Sequence, residues 1–187
     1  MVKSKYSATY SLRIYTPTLS MKWSSMPMDE SEVDGLIEAA IEEGAIVYEP
    51  RRNEEQLQRD FFAHAALYRD GWRFTVLTEI QGQSNIDLLL VNGEYWEVKS
   101  PTSSGNAKNR LGFVDSNLRT AHNQFRGHGV ANEQDAKVVF NNHYTDVDDA
   151  EVINEIKKRM PKRNIAEVVF IKKDGTIKRI KKPQVRQ

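Results

Sequence analysis

The chain has 187 residues, of which 28% are charged and 39% hydrophobic, with a net charge of +1 and no cysteine. This length and composition are typical of one globular domain, and they exclude a disulfide framework, a thiolate metal site and a disordered chain. There is no apolar run of membrane length and no signal peptide at the start, so we expect a cytoplasmic site of action.

The charge is distributed unevenly along the chain. Residues 29–60 contain eleven acidic and three basic residues, whereas residues 157–187 contain twelve basic and two acidic ones. A basic segment of this kind either contacts a nucleic-acid backbone or stays solvated, and both interpretations are open at this point. The weak net charge argues against tight, non-specific binding of long duplex DNA.

The first half of the chain predicts two helices and the first strands of a sheet. Helices are expected over 29–43 and 53–69, where apolar residues recur every three to four positions and a glycine follows. Short strands are expected at 45–48 and 72–80. Residues 1–50, including the acidic helix, are interpreted as an N-terminal extension of a domain at 51–187.

The stretch 86–101 predicts a hairpin that has two alternative registers. A two-residue type I′ turn on Asn92-Gly93 places Asp87 and Glu97 on opposite faces. A three-residue turn with Gly93 in the left-handed region places Asp87 directly opposite Glu97, with Lys99 on the same face. We adopt the second register, because it leaves the other face almost purely apolar: Ile86, Leu88, Leu90, Trp96 and Val98.

Two facing carboxylates predict a site for a hard divalent cation. Asp87 and Glu97 in this register lie close enough to repel each other, and Mg²⁺ or Mn²⁺ removes the conflict. Such an ion polarises a phosphate and lowers the pKa of a bound water. Lys99 is placed to orient that water or to offset charge developing on the phosphate.

The second half of the chain alternates helices and strands. A polar segment at 102–110 is expected to form a loop at the mouth of the site. It is followed by a helix at 114–126, a strand at 137–141, a helix at 146–160 and a hairpin formed by 164–171 and 176–180. The order predicts an α/β fold with a mixed central sheet flanked by helices and a C-terminal β-hairpin.

Asp87, a short gap and then Glu97-Val98-Lys99 resemble the D…ExK signature of the PD-(D/E)XK nuclease superfamily. The resemblance implies a restriction-endonuclease-like αβββαβ core, Mg²⁺ bound by Asp87 and Glu97, and a catalytic Lys99. Asn85-Ile86 precedes the acid here, so the proline of the signature is absent.

The superfamily resemblance also suggests auxiliary residues. The helix before the sheet often adds an acid, and of Glu54, Glu55 and Asp60 we favour Glu55. Glu79 is a further candidate metal ligand, through water. The helix after the site often contributes a Gln or a basic residue, here Gln124 or Arg119. Nucleic-acid contacts are expected from four basic residues: Lys108, Arg110, Arg119 and Arg126.

A finer resemblance is to the C-terminal tRNA-nuclease domains of contact-dependent growth-inhibition toxins. It rests on Glu97-Val98-Lys99, the Ser/Gly/Asn loop, residues 117–126 with Ala121 and Gln124, and the basic terminal hairpin. It implies a metal-dependent RNase toxin acting on tRNA, restrained by an immunity (inhibitor) protein. Similar domains occur in phage and mobile-element proteins, so the protein is expected to be delivered or phage-encoded.

Two alternatives remain open at the level of sequence. The first is a PD-(D/E)XK DNA endonuclease of a phage, mobile element, or repair or restriction system, which is expected to form a two-fold homodimer because symmetric cleavage needs two sites. The second is a non-catalytic nucleic-acid-binding module that uses the basic C-terminus.

Overall fold

The computed structural model describes residues 26–49, 54–80, 82–102, 109–128 and 136–182. Four α-helices and seven strands are found in these ranges: α1 (Glu30–Glu42), β1 (Ile46–Tyr48), α2 (Glu54–Arg69), β2 (Phe74–Val76), β3 (Leu88–Leu90), β4 (Tyr95–Lys99), α3 (Gly112–His128), β5 (Ala136–Asn141), α4 (Asp149–Arg159), β6 (Ile165–Ile171) and β7 (Ile177–Lys181). A short 3₁₀ helix, Met160–Arg163, joins α4 to β6.

The predicted helices form close to their expected positions. Asp29 caps α1, since its side chain accepts a hydrogen bond from the Ser31 N–H (2.8 Å) and its own N–H donates to Glu32 (3.1 Å). This reciprocal pattern is a capping box. The strand expected at 72–80 is shorter than predicted, so Glu79 lies in the connector that follows β2. Asn53, the first residue of the second predicted helix, lies outside the described residues.

The seven strands form one mixed sheet in which they neighbour each other in chain order, from β1 to β7. The pairs β1–β2, β4–β5 and β5–β6 are parallel, and the others are antiparallel. The run from α2 to β5 has the expected αβββαβ order. Strands β6 and β7 close the predicted C-terminal hairpin, so the predicted α/β class with a mixed sheet is confirmed.

Each face of the sheet packs against one pair of helices. On one face, Leu88, Trp96 and Val98 join apolar residues of α1 and α2 in a buried cluster. On the other, Val138 and Phe140 join residues of α3 and α4 in a second cluster. Because strand side chains alternate between faces, Glu97, which pairs with Val138, lies on the α3 side. Within the described ranges, no helix is both long and apolar enough to cross a bilayer.

Candidate active site

The β3–β4 turn has the three-residue form expected from the sequence. Gly93 has φ +85°, which favours glycine, and its N–H donates to the Leu90 carbonyl at 2.9 Å. The Leu90 N–H donates to the Glu94 carbonyl at 2.8 Å, and the pairing continues in this register along β3 and β4. The predicted register is therefore confirmed, and it places Asp87 opposite Glu97.

The side chain of Asp87 accepts a backbone hydrogen bond from β4, in place of a backbone carbonyl. It is 7% exposed, and its carboxylate accepts a hydrogen bond from the Val98 N–H at 2.9 Å. Regular pairing begins only at the next residue, Leu88. Ile86 consequently leaves the strand alternation and packs in the cluster with α3 and α4, so its predicted place on the opposite face with Leu88 was wrong.

Glu97 is a fully buried acid beside a second acid. It is 0% exposed, its Oε1 forms an ion pair with the Lys99 amine, and its Oε2 has no hydrogen-bond partner among the described residues. Burial raises the pKa of Glu97 well above its usual value, and the adjacent Asp87 raises it further, while Lys99 opposes both effects. A buried acceptor without a partner is costly, so this oxygen is suited to a proton or a cation.

Helix α3 holds the amine of Lys99 in place. The amine donates to the Gln124 side-chain carbonyl Oε1 at 2.8 Å and contacts Glu97 on its other side. Gln124 lies between Ala121 and Phe125, whose burial fixes this turn of the helix against the sheet. Of the predicted site residues, the structure therefore brings four together: Asp87, Glu97, Lys99 and Gln124.

The donor set fits a hard divalent cation. Asp87 and Glu97 supply two adjacent carboxylates, and one of their oxygens, Glu97 Oε2, lacks a partner in the described structure. Mg²⁺ is typically held by one or two carboxylates, with water and phosphate completing its shell. No three Asp, Glu or His side chains gather as metal ligands in the described part of the chain, so these two carboxylates would be the protein's contribution.

A cleft of 380 Å³ opens beside Lys99, at the carboxyl end of β4 and between α2 and α3. Ligands of open α/β sheets commonly bind at this edge. On its α2 side, the Ser100 hydroxyl donates to Asp60 at 2.8 Å and accepts from Asn141 at 3.3 Å. The cleft is lined by Arg59, Asp60, Val98, Lys99, Ser100, Pro101, Thr102, Phe113 and Asn117.

Among the acids of α2 whose side chains the structure describes, Asp60 is the one that lies at the cleft. Asp60 is 6% exposed, and Ala63 and Leu67, three and seven residues further along, are buried on the same side of the helix. An acid in phase with such an apolar stripe was the signal in the sequence. The Glu55 side chain lies outside the described structure, so its role stays a prediction.

The two arginines of α3 face away from the site. Asn117 and Gln124 are seven residues apart and share one side of the helix, towards the cleft and Lys99. Arg119 and Arg126 each lie two residues further on, which is about 200° around the helix axis. Both are exposed, so their predicted contacts to nucleic acid would lie outside the cleft.

Two further predicted residues, Glu79 and Arg110, lie in the described structure but do not line the cleft. Glu79 is half-buried in the connector after β2 and belongs to no ligand group in the described residues. Arg110 is exposed and forms an ion pair with Glu151 of α4 at 3.4 Å. Lys108 lies outside the described residues. Their functional roles stay predictions.

Internal ion pairs occupy part of the basic C-terminal segment. Arg163 pairs with Asp115 at 2.6 Å, and this contact lowers the pKa of Asp115. Arg179 of β7 pairs with Asp70 at 3.1 Å, at the end of α2. These arginines tie the C-terminal elements to α2 and α3, which leaves less of the basic segment available to a polyanion.

Two comparisons with known proteins found a match. Residues 88–177, just under half of the chain, match the family model of the contact-dependent growth inhibition CdiA C-terminal domain. A solved CdiA-CT/CdiI toxin and immunity complex from Burkholderia pseudomallei contains a similar chain, with 19% identity, a TM-score of 0.47, and coverage of 74% of this chain and 99% of that one. The search of curated proteins found no match.

Proposed function

We propose that this chain is the nuclease domain of a contact-dependent growth-inhibition toxin, and that it hydrolyses tRNA with the help of Mg²⁺ or Mn²⁺. One observation carries the proposal: Asp87 stands opposite the buried Glu97, beside a lysine that Gln124 holds in place. The toxin class rests on the match of residues 88–177, a segment that contains Glu97, Lys99 and Gln124.

The proposed roles follow from the donor atoms. Asp87 and Glu97 would hold the cation, which when bound polarises the phosphate and acidifies a water. The Lys99 amine would stabilise negative charge developing on the phosphate. Gln124 is a positioning residue, because its carbonyl fixes the amine 2.8 Å away without a charge of its own.

RNA is favoured over DNA on the size and charge of the site. The cleft of 380 Å³ is suited to one exposed nucleotide, whereas wrapping a long duplex needs an extended basic surface. The net charge is only +1, and several arginines of the basic segment are engaged in ion pairs. A tRNA substrate implies action in the cytoplasm of a target cell.

We propose an immunity protein as the natural partner, on the strength of the family-model match. Expression of the wild-type chain alone should arrest the growth of the host cell, whereas Lys99→Ala should be tolerated. The immunity protein would be the co-expressed partner that restores growth and purifies with the chain. Equal tolerance of the wild type and the variant would contradict a nuclease toxin.

The direct test compares hydrolysis of tRNA and plasmid DNA with Mg²⁺, with Mn²⁺ and with EDTA. Lys99→Ala should lower the rate on tRNA by at least about 100-fold, the usual scale for a positioned catalytic group. The matched control is Lys137→Ala, which removes another partly buried lysine. Lys137 lies on β5, next to β4, and pairs with Glu94 at 2.6 Å. This control should cleave at close to the wild-type rate.

The outcomes separate the alternatives. Activity that survives EDTA or Lys99→Ala would remove the proposed mechanism. Cutting of DNA in preference to tRNA, together with a homodimer in solution, would indicate the DNA endonuclease instead. Metal-independent, salt-sensitive binding that is unaffected by Asp87→Ala, without hydrolysis, would indicate a binding module.

A further inference from the structure

We infer that the cleft beside Lys99 binds an unpaired nucleobase of the substrate, stacked on Phe113 and hydrogen-bonded at its edge by Asn117. The inference rests on the proposed function and concerns how the substrate is held. It goes further in predicting that recognition depends on a base, and not only on the phosphate backbone.

Phe113 forms an aromatic wall of the cleft, and a second aromatic ring packs behind it. Phe113, in the first turn of α3, is half-buried and lines the cleft. Behind it, the buried Phe140 of β5 packs at a centroid distance of 6.2 Å and an interplanar angle of 43°. A ring fixed in this way loses little freedom when a base stacks on it, and stacking on aromatic side chains is the usual way in which proteins hold unpaired bases.

Asn117 presents an oriented amide one turn further along α3. Its Nδ2 donates to the Phe113 carbonyl at 2.8 Å, and because a carbonyl only accepts, this bond fixes which end of the amide is nitrogen. The other N–H and the side-chain oxygen are then available to a ligand in the cleft that Asn117 lines. One donor and one acceptor match the edge of a base rather than a phosphate, which only accepts.

Charge decides which way a nucleotide would enter. On the α2 side of the cleft, Arg59 and Asp60 carry opposite charges, whereas the amine of Lys99 forms an ion pair beside the proposed metal ligands. These two charges offset each other, so the phosphate is favoured at Lys99, next to the proposed cation, and the neutral base deeper in the cleft. A base stacked and paired within a duplex cannot enter, which restricts the site to unpaired nucleotides.

The experiment measures binding without hydrolysis, by fluorescence anisotropy in EDTA. The ligands are a labelled single-stranded RNA nonamer, the same strand in a duplex, and an abasic nonamer that keeps the phosphates. The single strand should bind roughly 10-fold more tightly than either of the others, and Phe113→Leu should weaken it by at least about 5-fold, the effect of losing one stacked base. Phe113→Tyr keeps the ring and should bind like the wild type.

Two further variants control for folding and position. Phe61→Leu makes the same substitution at another half-buried phenylalanine, on the α2 side that faces α1, and should leave binding unchanged. If Phe113→Leu fails to fold, Asn117→Ala is the second variant, because alanine is a good helix former. It should weaken binding by about 3-fold or more. Equal affinity for the single-stranded and abasic ligands, or wild-type affinity in the folded variants, overturns the inference.

Failure of this inference is distinguishable from failure of the proposed function. If the wild type hydrolyses tRNA while binding is indifferent to Phe113 and Asn117, the nuclease stands and the base pocket falls. If binding depends on both residues while no metal supports hydrolysis, the pocket stands and the nuclease falls.

Discussion

At the scale of single residues, the burial of Glu97 couples the site to pH. Its pKa is raised above the ordinary glutamate value of 4.5, mainly by burial and then by Asp87. The folded protein therefore binds this proton more tightly than the unfolded chain, and stability falls as the pH rises from about 4.5 through the raised pKa. A bound cation would replace the proton on Glu97 and so remove the loss of stability at higher pH.

We expect the melting temperature of the metal-free protein to fall between pH 5 and pH 8, by roughly 2–4 °C for each kcal/mol lost. Glu97→Gln carries no charge at either pH, so its melting temperature should change less. Thermal unfolding in EDTA, followed by circular dichroism, measures both. Mg²⁺ at pH 8 should raise the melting temperature of the wild type only. A wild-type curve no steeper than that of Glu97→Gln would contradict this account.

Residue chemistry was predictable where it depended on local spacing, and less so where it depended on distant partners. Glu97 and Lys99 are two residues apart on one strand, so their shared face follows from the alternation of side chains. Asp60 bonds to Ser100, 40 residues along the chain, and only the fold reveals that pairing. The superfamily resemblance suggested Gln124, but its partner, Lys99, became evident in the structure.

At the scale of elements, the hairpin was predictable because only one register separates polar from apolar side chains. The turn that selects this register depends on Gly93 at φ +85°. The extent of the strands was less predictable. Regular pairing in β3 begins after Asp87, whose carboxylate takes over a backbone hydrogen bond, and periodicity contains no sign of that exchange.

Two glycine substitutions test the role of the turn. Gly93→Ala should destabilise the protein by about 1–2 kcal/mol, because a side chain disfavours the left-handed region. Gly35→Ala, within α1, should stabilise it by roughly 0.5–1 kcal/mol, because alanine is the better helix former. A Cβ added at either position meets nothing within 4 Å, so steric clashes do not contribute to either change in stability.

Chemical denaturation gives both free energies of unfolding. If the turn also sets the register, Gly93→Ala should lower nuclease activity, while Gly35→Ala should leave it intact. Changes of the same sign in the stability of the two variants would show that backbone conformation at Gly93 is not what the turn requires.

At the scale of the whole molecule, the strands neighbour each other in chain order, so the chain crosses the sheet once from edge to edge. The site lies near the middle, at β4, where antiparallel pairing changes to parallel. The functional residues thus come from α2, from the residue just before β3, from β4 and from α3, which the αβββαβ order brings together. This order was predictable from periodicity, whereas the assembly of the cleft required the packing of α2 against β4.

The N-terminal helix α1 is integrated into this packing. Its Val33, Ile37 and Ala40 join the cluster on the α2 face, and the Met28 N–H, just before it, donates to the Asp174 carbonyl at 2.7 Å. Strand β1 also pairs with β2. The boundary predicted at residue 50 stays a prediction, but these contacts lead us to expect that residues 51–187 do not fold stably alone.

Two isoleucines of α1 test this expectation. Ile37 is 6% exposed and Ile41, one turn away, is 50% exposed. Ile37→Ala should lower the free energy of unfolding by about 2–4 kcal/mol because of the cavity it leaves, whereas Ile41→Ala should stay within about 0.5 kcal/mol of the wild type.

The 51–187 fragment should lack a cooperative thermal transition, because its α2 would expose the apolar face that α1 covers. A fragment that melts cooperatively and retains nuclease activity, with both alanine variants near wild-type stability, would instead establish α1 as a separable extension.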